Sequence, residues 1–90
     1  MAVTVQIPTP LRQHAEGKPA VDASGATVRA VLDDLGARYP TLAGRLLDNG
    51  QVKRFVNLYL NDEDIRYLDS LATAVKDGDE LSIIPAVAGG

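Results

Sequence analysis

Val28, Val31, Leu32 and Leu35 fall at i, i+3, i+4 and i+7, which places one apolar stripe along one face of a helix. Thr27 stands where an N-cap belongs, and Pro40 disfavours helical geometry at Tyr39, so the helix runs from Val28 to about Arg38. One stripe of this kind cannot bury itself; it needs a second layer. The chain has 90 residues, and a chain of that size buries only ~60–65% of its unfolded surface, so it supports one core and one domain.

The second layer is written in period two. Val3, Val5 and Ile7 alternate with Thr4 and Gln6 until Pro8 ends the run. Lys18 to Ala23 reads as a second, shorter strand, joined to the first by the polar loop TPLRQHAEG. Leu42, Leu46 and Leu47 predict a further short helical turn, and Asp48, Asn49 and Gly50 a chain reversal. In RFVNLYLN, Val56, Leu58 and Leu60 share one face, and Phe55, Asn57 and Tyr59 the other. Asn61 to Asp64 turns into a brief strand at Ile65 to Tyr67, LATAV makes a helical turn, and the turn Asp77, Gly78, Asp79 launches the last strand ELSII. The order β, β, α, β, β, β is that of an α+β roll: a mixed sheet of four to five strands with one main amphipathic helix on one face. The first and last strands can lie centrally as a parallel pair, so that the chain leaves from the middle of the sheet's end.

Composition removes several classes of function. Hydrophobic residues make up 46% and charged residues 23%, too apolar for a disordered chain. There is no cysteine, which rules out disulfides, thiolate zinc sites and a cysteine nucleophile. The opening MAVTVQIP has neither a basic segment nor a long apolar one, and nowhere do eighteen apolar residues run together; a soluble cytoplasmic protein with no membrane partner is expected. Residues 46–90 hold four Lys/Arg against eight Asp/Glu, and residues 1–45 hold five against four. That acidity disfavours nucleic acid and favours a basic protein surface.

The chain stops at PAVAGG, residues Pro85 to Gly90. Two terminal glycines after a strand are compatible with a frayed tail or a linker stub, and alone they decide nothing. The longer string Leu71, Asp77, Gly78, Asp79, Leu81, Ile84, Pro85, Gly89, Gly90 is more specific. With the element order, it resembles the ubiquitin-like sulfur-carrier family, to which the small subunit of molybdopterin synthase and the thiamine sulfur carrier (the MoaD/ThiS group) belong. The strand FVNLYLNDEDIR, the length and the ending PAVAGG look most like the subgroup that serves a cysteine synthase.

The resemblance implies a ubiquitin-like β-grasp domain over residues 1–86 and a flexible tail over 87–90. It also implies a protein co-substrate that is not itself an enzyme. In such a cycle an E1-like, ATP-dependent activating enzyme adenylates the Gly90 carboxylate, and a sulfur donor converts it to a thiocarboxylate. The sulfur then passes to an aminoacrylate held on pyridoxal phosphate in the cysteine synthase. The further partner implied is a metal-dependent peptidase that releases the product; the alternative acceptor is the molybdopterin synthase large subunit. ATP and pyridoxal phosphate belong to those partners, and no bound cofactor or metal is expected on this chain. A ubiquitin-like protein modifier joined to lysines, or an interaction module with an inert tail, are the competing readings.

The residues suit that chemistry. A free α-carboxylate, with a pKa near ~3.5, is an anion and a poor electrophile at neutral pH, so it must be activated by another protein. With sulfur in place of one oxygen it becomes a soft nucleophile, which explains how a chain without cysteine can carry sulfur. Ala86, Val87, Ala88, Gly89 and Gly90 extend by ~3.3–3.6 Å each, about 17 Å in all, enough to cross an enzyme's wall. Glycine at the last two positions removes Cβ from the part that must pass a narrow channel. Pro85 lacks an N–H and ends the ladder. Alternation places Phe55, Tyr59 and Ile84 on the sheet face away from the helix, beside Thr4, Gln6, Asn57 and Ser82, as a docking patch next to the tail; scattered surface hydrophobes are the plain alternative.

Other groups carry less. Asp62, Glu63 and Asp64 are consecutive in a turn without calcium-loop spacing and read as solvated. His14 has no ligand partners at useful spacing. Ser24, Gly25 and Thr27 lack a phosphate-loop pattern and read as a helix start. Arg29, Lys53 and Arg54 are candidate docking charges, although single exposed bases are ordinarily just solvated.

Overall fold

The computed structural model describes residues 2–54 and 56–85. Five strands form one mixed sheet. They are β1 (Ala2–Gln6), β2 (Ala20–Ser24), β5 (Val56–Leu60), β6 (Glu63–Asp64) and β7 (Glu80–Pro85), in spatial order β2-β1-β7-β5-β6. A separate hairpin pairs β3 (Leu47–Asp48) with β4 (Gln51–Val52). Two helices, α1 (Val28–Arg38) and α2 (Pro40–Leu46), complete the layer that covers one sheet face.

α1 has the expected stripe: Val28, Val31, Leu32 and Leu35 are all buried. Thr27 is extended and its Oγ1 accepts from the Ala30 N–H at 3.1 Å, as an N-cap should. The helix stops at Tyr39, and Pro40 opens α2 in the first-turn position where its missing N–H costs nothing. Leu42 and Leu46 of α2 are buried with the α1 stripe against Val3, Val5, Ile7, Leu58, Leu60, Leu81 and Ile83 of the sheet. The core therefore sits between one sheet face and the helices, as the element order requires.

β1 and β7 run parallel at the sheet's centre, with Thr4 opposite Glu80 and Gln6 opposite Ser82. β5 flanks β7 on the other side, antiparallel, from Val56–Pro85 to Leu60–Leu81. The reversal at Asp48–Gly50 is a two-residue hairpin with Asn49 and Gly50 both at positive φ, 53° and 77°, the turn that an Asn-Gly pair favours. Arg29 Nη1 donates to the Gly50 carbonyl at 2.9 Å, so this base ties the hairpin to α1.

Four local expectations are corrected. The loop after β1 is a 3-10 helix, Thr9–Ala15, that buries Ala15; a single leucine and a small alanine leave no legible stripe. The second strand runs Ala20–Ser24, later than Lys18–Ala23. Ile65–Tyr67 is a 3-10 turn, and the brief strand is Glu63–Asp64 just before it. LATAV is helical only at Leu71 and Ala72, the end of a 3-10 turn over Ser70–Ala72, after which Ala74 bridges to Thr27. Among the described residues no helix is long and apolar enough to cross a membrane.

Candidate functional site

The segment that leads to the terminus is held by three neighbouring elements. The Asp77–Asp79 turn starts it. Gly78 adopts φ 89°, a conformation that strains any other residue. Its N–H donates to the Ala2 carbonyl at 2.9 Å, and the Ala2 N–H donates to Asp77 Oδ1 at 2.9 Å. Asp79 accepts from the Lys76 N–H at 2.8 Å and from Asn61 Nδ2 at 3.0 Å, while Asn61 Oδ1 accepts from the Glu80 N–H at 2.9 Å. The bond from Asn61, then that from Lys76, lowers the Asp79 carboxyl below its ordinary pKa. Each member of the Asp-Gly-Asp string thus fastens the start of β7 to β1 or to the β5–β6 turn.

At its far end β7 outruns β1. The parallel pairing stops at Gln6–Ser82, whereas the antiparallel pairing with β5 continues to Val56–Pro85. The last three residues of β7, Ile83 to Pro85, thus project from the sheet's centre with β5 alone beside them. Pro85 occupies the final ladder position, as expected of a residue that ends a strand. Residues Ala86, Val87, Ala88, Gly89 and Gly90, the tail expectation built on them and the domain boundary at 86/87 lie outside the described residues, as does Phe55.

Around this exit the outer face is mostly polar. Ile84 is 43% exposed opposite Asn57, and Tyr59 is half-buried opposite Ser82. Thr4, Gln6, Asn57 and Ser82 surround them, and Gln6 Nε2 donates to Glu80 Oε2 at 3.1 Å. Leu81 and Ile83 point the other way and are buried. The structure places Tyr59 and Ile84 on this one face, on a diagonal of the β5–β7 ladder, while Pro85, next in the chain and opposite Val56, falls by alternation on the other face.

Sequence reasoning missed the group beside it. Asp64, expected to be solvated, is 4% exposed. It stands opposite Tyr59, accepts from the Arg66 N–H at 2.9 Å, and pairs with Arg66 Nη2 at 2.6 Å. Those bonds, the side-chain ones first, hold its carboxyl below the usual range despite burial. Asp62 and Glu63 remain exposed, with Asn61 and Asp62 at positive φ in the turn. Tyr67, 81% exposed, follows Arg66 directly. The Asp-x-Arg spacing around Ile65 was the signal that could have located this pair. His14 is half-buried on the 3-10 helix, and among the described residues no cluster of three metal-ligating side chains forms.

The family model for the ThiS family matches residues 5–90, from β1 through the terminal glycines. The chain belongs to the ThiS family. Over its full length it is 54% identical to the sulfur carrier protein CysO of Mycobacterium tuberculosis, covering all of that protein. The small archaeal modifier protein 3 of Haloferax volcanii is 51% identical over 65 residues, 72% of this chain and 71% of that one. Among solved structures, a chain in the Amycolatopsis orientalis BexX/CysO complex superposes with a TM-score of 0.92 at 50% identity, covering 98% of this chain and 99% of that one. The ubiquitin-like β-grasp fold is thereby shared across the whole molecule. Sulfur carriers of the ThiS/MoaD type are small protein substrates, so this family member is a co-substrate and not an enzyme.

Proposed function

We propose that this protein is a sulfur carrier for cysteine biosynthesis and that the Gly90 carboxylate is its reactive group. The observation that carries the reading is a family match running to residue 90 in a chain whose central strand β7 ends at Pro85, with full-length identity to a sulfur carrier. An ATP-dependent activating enzyme adenylates the carboxylate, with pyrophosphate leaving. Sulfide equivalents from a donor then displace AMP to give the thiocarboxylate. That anion attacks an aminoacrylate that the acceptor synthase holds on its own pyridoxal phosphate, and a metal-dependent peptidase releases the product. Neither ATP nor pyridoxal phosphate resides on this chain.

The fold contributes placement. β7 is held between β1 and β5 as far as Ser82 and by β5 alone to Pro85, so the base of the tail is anchored while about 17 Å of chain remains to reach a buried centre. Docking through Ile84 and Tyr59, with Phe55 as a further candidate, raises the effective concentration of the terminus at a channel mouth. Intact mass of protein purified from its native cell tests the reading: a sulfur-for-oxygen exchange located at Gly90 by fragmentation supports it, and an unmodified terminus in every growth condition overturns it.

The likeness to an archaeal modifier protein favours one second reading, conjugation of Gly90 to lysine amines. Branched Gly-Gly-lysine peptides from other proteins in the same cells would establish it.

A further inference from the structure

The sheet has two outer edges, and the fold treats them differently. At β2 the edge is closed by α1: Arg38 Nη2 donates to the Asp22 carbonyl, and the Ser24 N–H donates to Asp34 Oδ2 at 2.9 Å. Among the described residues the other edge is left open. β6 is only two residues long and pairs with Tyr59 and Leu60 alone, so Val56, Asn57 and Leu58 have a strand neighbour on the β7 side only. The Asn61 N–H donates to the Glu80 carbonyl, which sets the alternation: Asn57 and Tyr59 bond toward β7, while Val56 and Leu58 turn their backbone groups to the free edge. In agreement, the Val56 N–H donates away from β7, to the Lys53 carbonyl at 3.0 Å. The Val56 C=O and Leu58 N–H are left facing outward, the same pair of groups that α1 covers at Asp22 and Ser24.

This edge borders a cavity of about 390 Å³ with an apolar lining from Val52, Ile65 and Leu71 and a cationic lining from Lys53, Arg54 and Arg66. Among the described residues Asp64 is the one carboxylate lining it, and Arg66 already pairs with it. Three cations against one anion give +2 locally on a chain whose net charge is −3. Among the described residues the ion pairs are Lys18–Glu16, Arg38–Asp34 and Arg66–Asp64, so Lys53 and Arg54 take part in none of them.

We propose that the β5 edge is a strand-addition site for an extended segment of a partner protein that bears an aliphatic residue flanked by Asp or Glu. The main chain of the segment bonds to the Val56 C=O and Leu58 N–H, its aliphatic side chain enters the cavity, and its carboxylates meet Lys53, Arg54 and Arg66. The charge sign selects this occupant: a basic or neutral strand would leave the cations unmatched. The site is separate from the terminal chemistry, because it uses neither β7's outer face nor the tail.

The test is selection of a phage-displayed linear heptapeptide library against the full chain. The best peptide is then synthesised and titrated into isotopically labelled protein. The expected outcome is an enriched pattern of an aliphatic residue between acidic ones. At saturation the Leu58 amide should exchange with solvent at least about tenfold more slowly, while Ile84 is unmoved. The double variant Lys53→Glu/Arg54→Glu, with an unchanged thermal midpoint, should lose at least about tenfold in affinity, since charge-assisted contacts are the strong ones. No enriched family, an enriched family without acids, or protection that appears at Ile84 instead of Leu58 would overturn the proposal. Thiocarboxylate formation, read by mass, is independent of all of these outcomes.

Discussion

Truncating Ile84 separates docking from folding, and the structure sets the size of both effects. Ile84 is 43% exposed, and burying an Ile side chain completely is worth about 1.5–3 kcal/mol. The uncovered share leaves a partner about 0.6–1.3 kcal/mol to gain, so Ile84→Ala should weaken binding to the proposed sulfur-accepting synthase roughly three- to ninefold. The covered 57%, the remainder of that exposure, is already spent against the outer sheet face and costs about 0.9–1.7 kcal/mol of fold stability when removed. In a domain of this size each kcal/mol moves the melting midpoint by about 4–8 °C, so the variant stays folded at assay temperature. Titration calorimetry of the folded variant against the pyridoxal-phosphate synthase reads the first effect, and calorimetric unfolding the second. An affinity equal to the parent's, with the stability loss as stated, would remove the outer face from the docking mechanism and leave the tail as the sole determinant. Tyr59→Ala should follow the same direction with a smaller loss, because Tyr59 is half-buried and stands farther from the exit than Ile84.

Deleting Gly90 or changing Gly89→Val should leave the unfolding midpoint within a degree or two of the parent, since both lie beyond the last strand, and should abolish the thiocarboxylate in a coupled activation assay read by mass. Leu32→Ala and Leu58→Ala, at 2% and 1% exposure on facing layers, should each cost ~2–5 kcal/mol in urea unfolding; a parental midpoint for either would contradict the helix-on-sheet core. Asp64 and Asp79 both have folded pKa values lowered from 3.8, so their contribution to stability is full above that value and is lost as pH falls through and below it. Denaturation followed from pH 6 down to pH 2 should therefore show a steep loss at the acid end. Asp64→Asn, which removes the titrating group, should flatten that slope; an unchanged slope would refute the role of the Asp64–Arg66 pair.

Much of this molecule is local and so was legible in the chain itself. The stripe Val28, Val31, Leu32, Leu35 and its Thr27 cap are settled within two turns of helix. The alternations at Val3–Ile7, Val56–Leu60 and Leu81–Ile84 assign inward and outward faces without reference to any distant residue, because side-chain direction in a strand has period two. The Asn49-Gly50 and Asp77-Gly78-Asp79 turns are set by backbone angles that few residues tolerate. The terminal glycines on which the proposed function rests are likewise read from the residue types themselves.

What depends on residues far apart in the chain was not legible. Asp64 looks solvated in the string Asn-Asp-Glu-Asp; its partner Arg66 is only two residues on, but its burial accompanies the pairing of β6 with Tyr59 of β5. Ala15 enters the core because the 3-10 helix packs against α2, and a lone alanine gives no periodic warning of it. The sealing of the β2 edge by Arg38 and Asp34, and the opening left at Val56 to Leu58 where β6 stops, are properties of two elements meeting. Periodicity assigns a residue to a face, but which edge is closed and which charge is paired follows from packing, where the energy of a buried group depends on neighbours that the chain brings together only once it has folded.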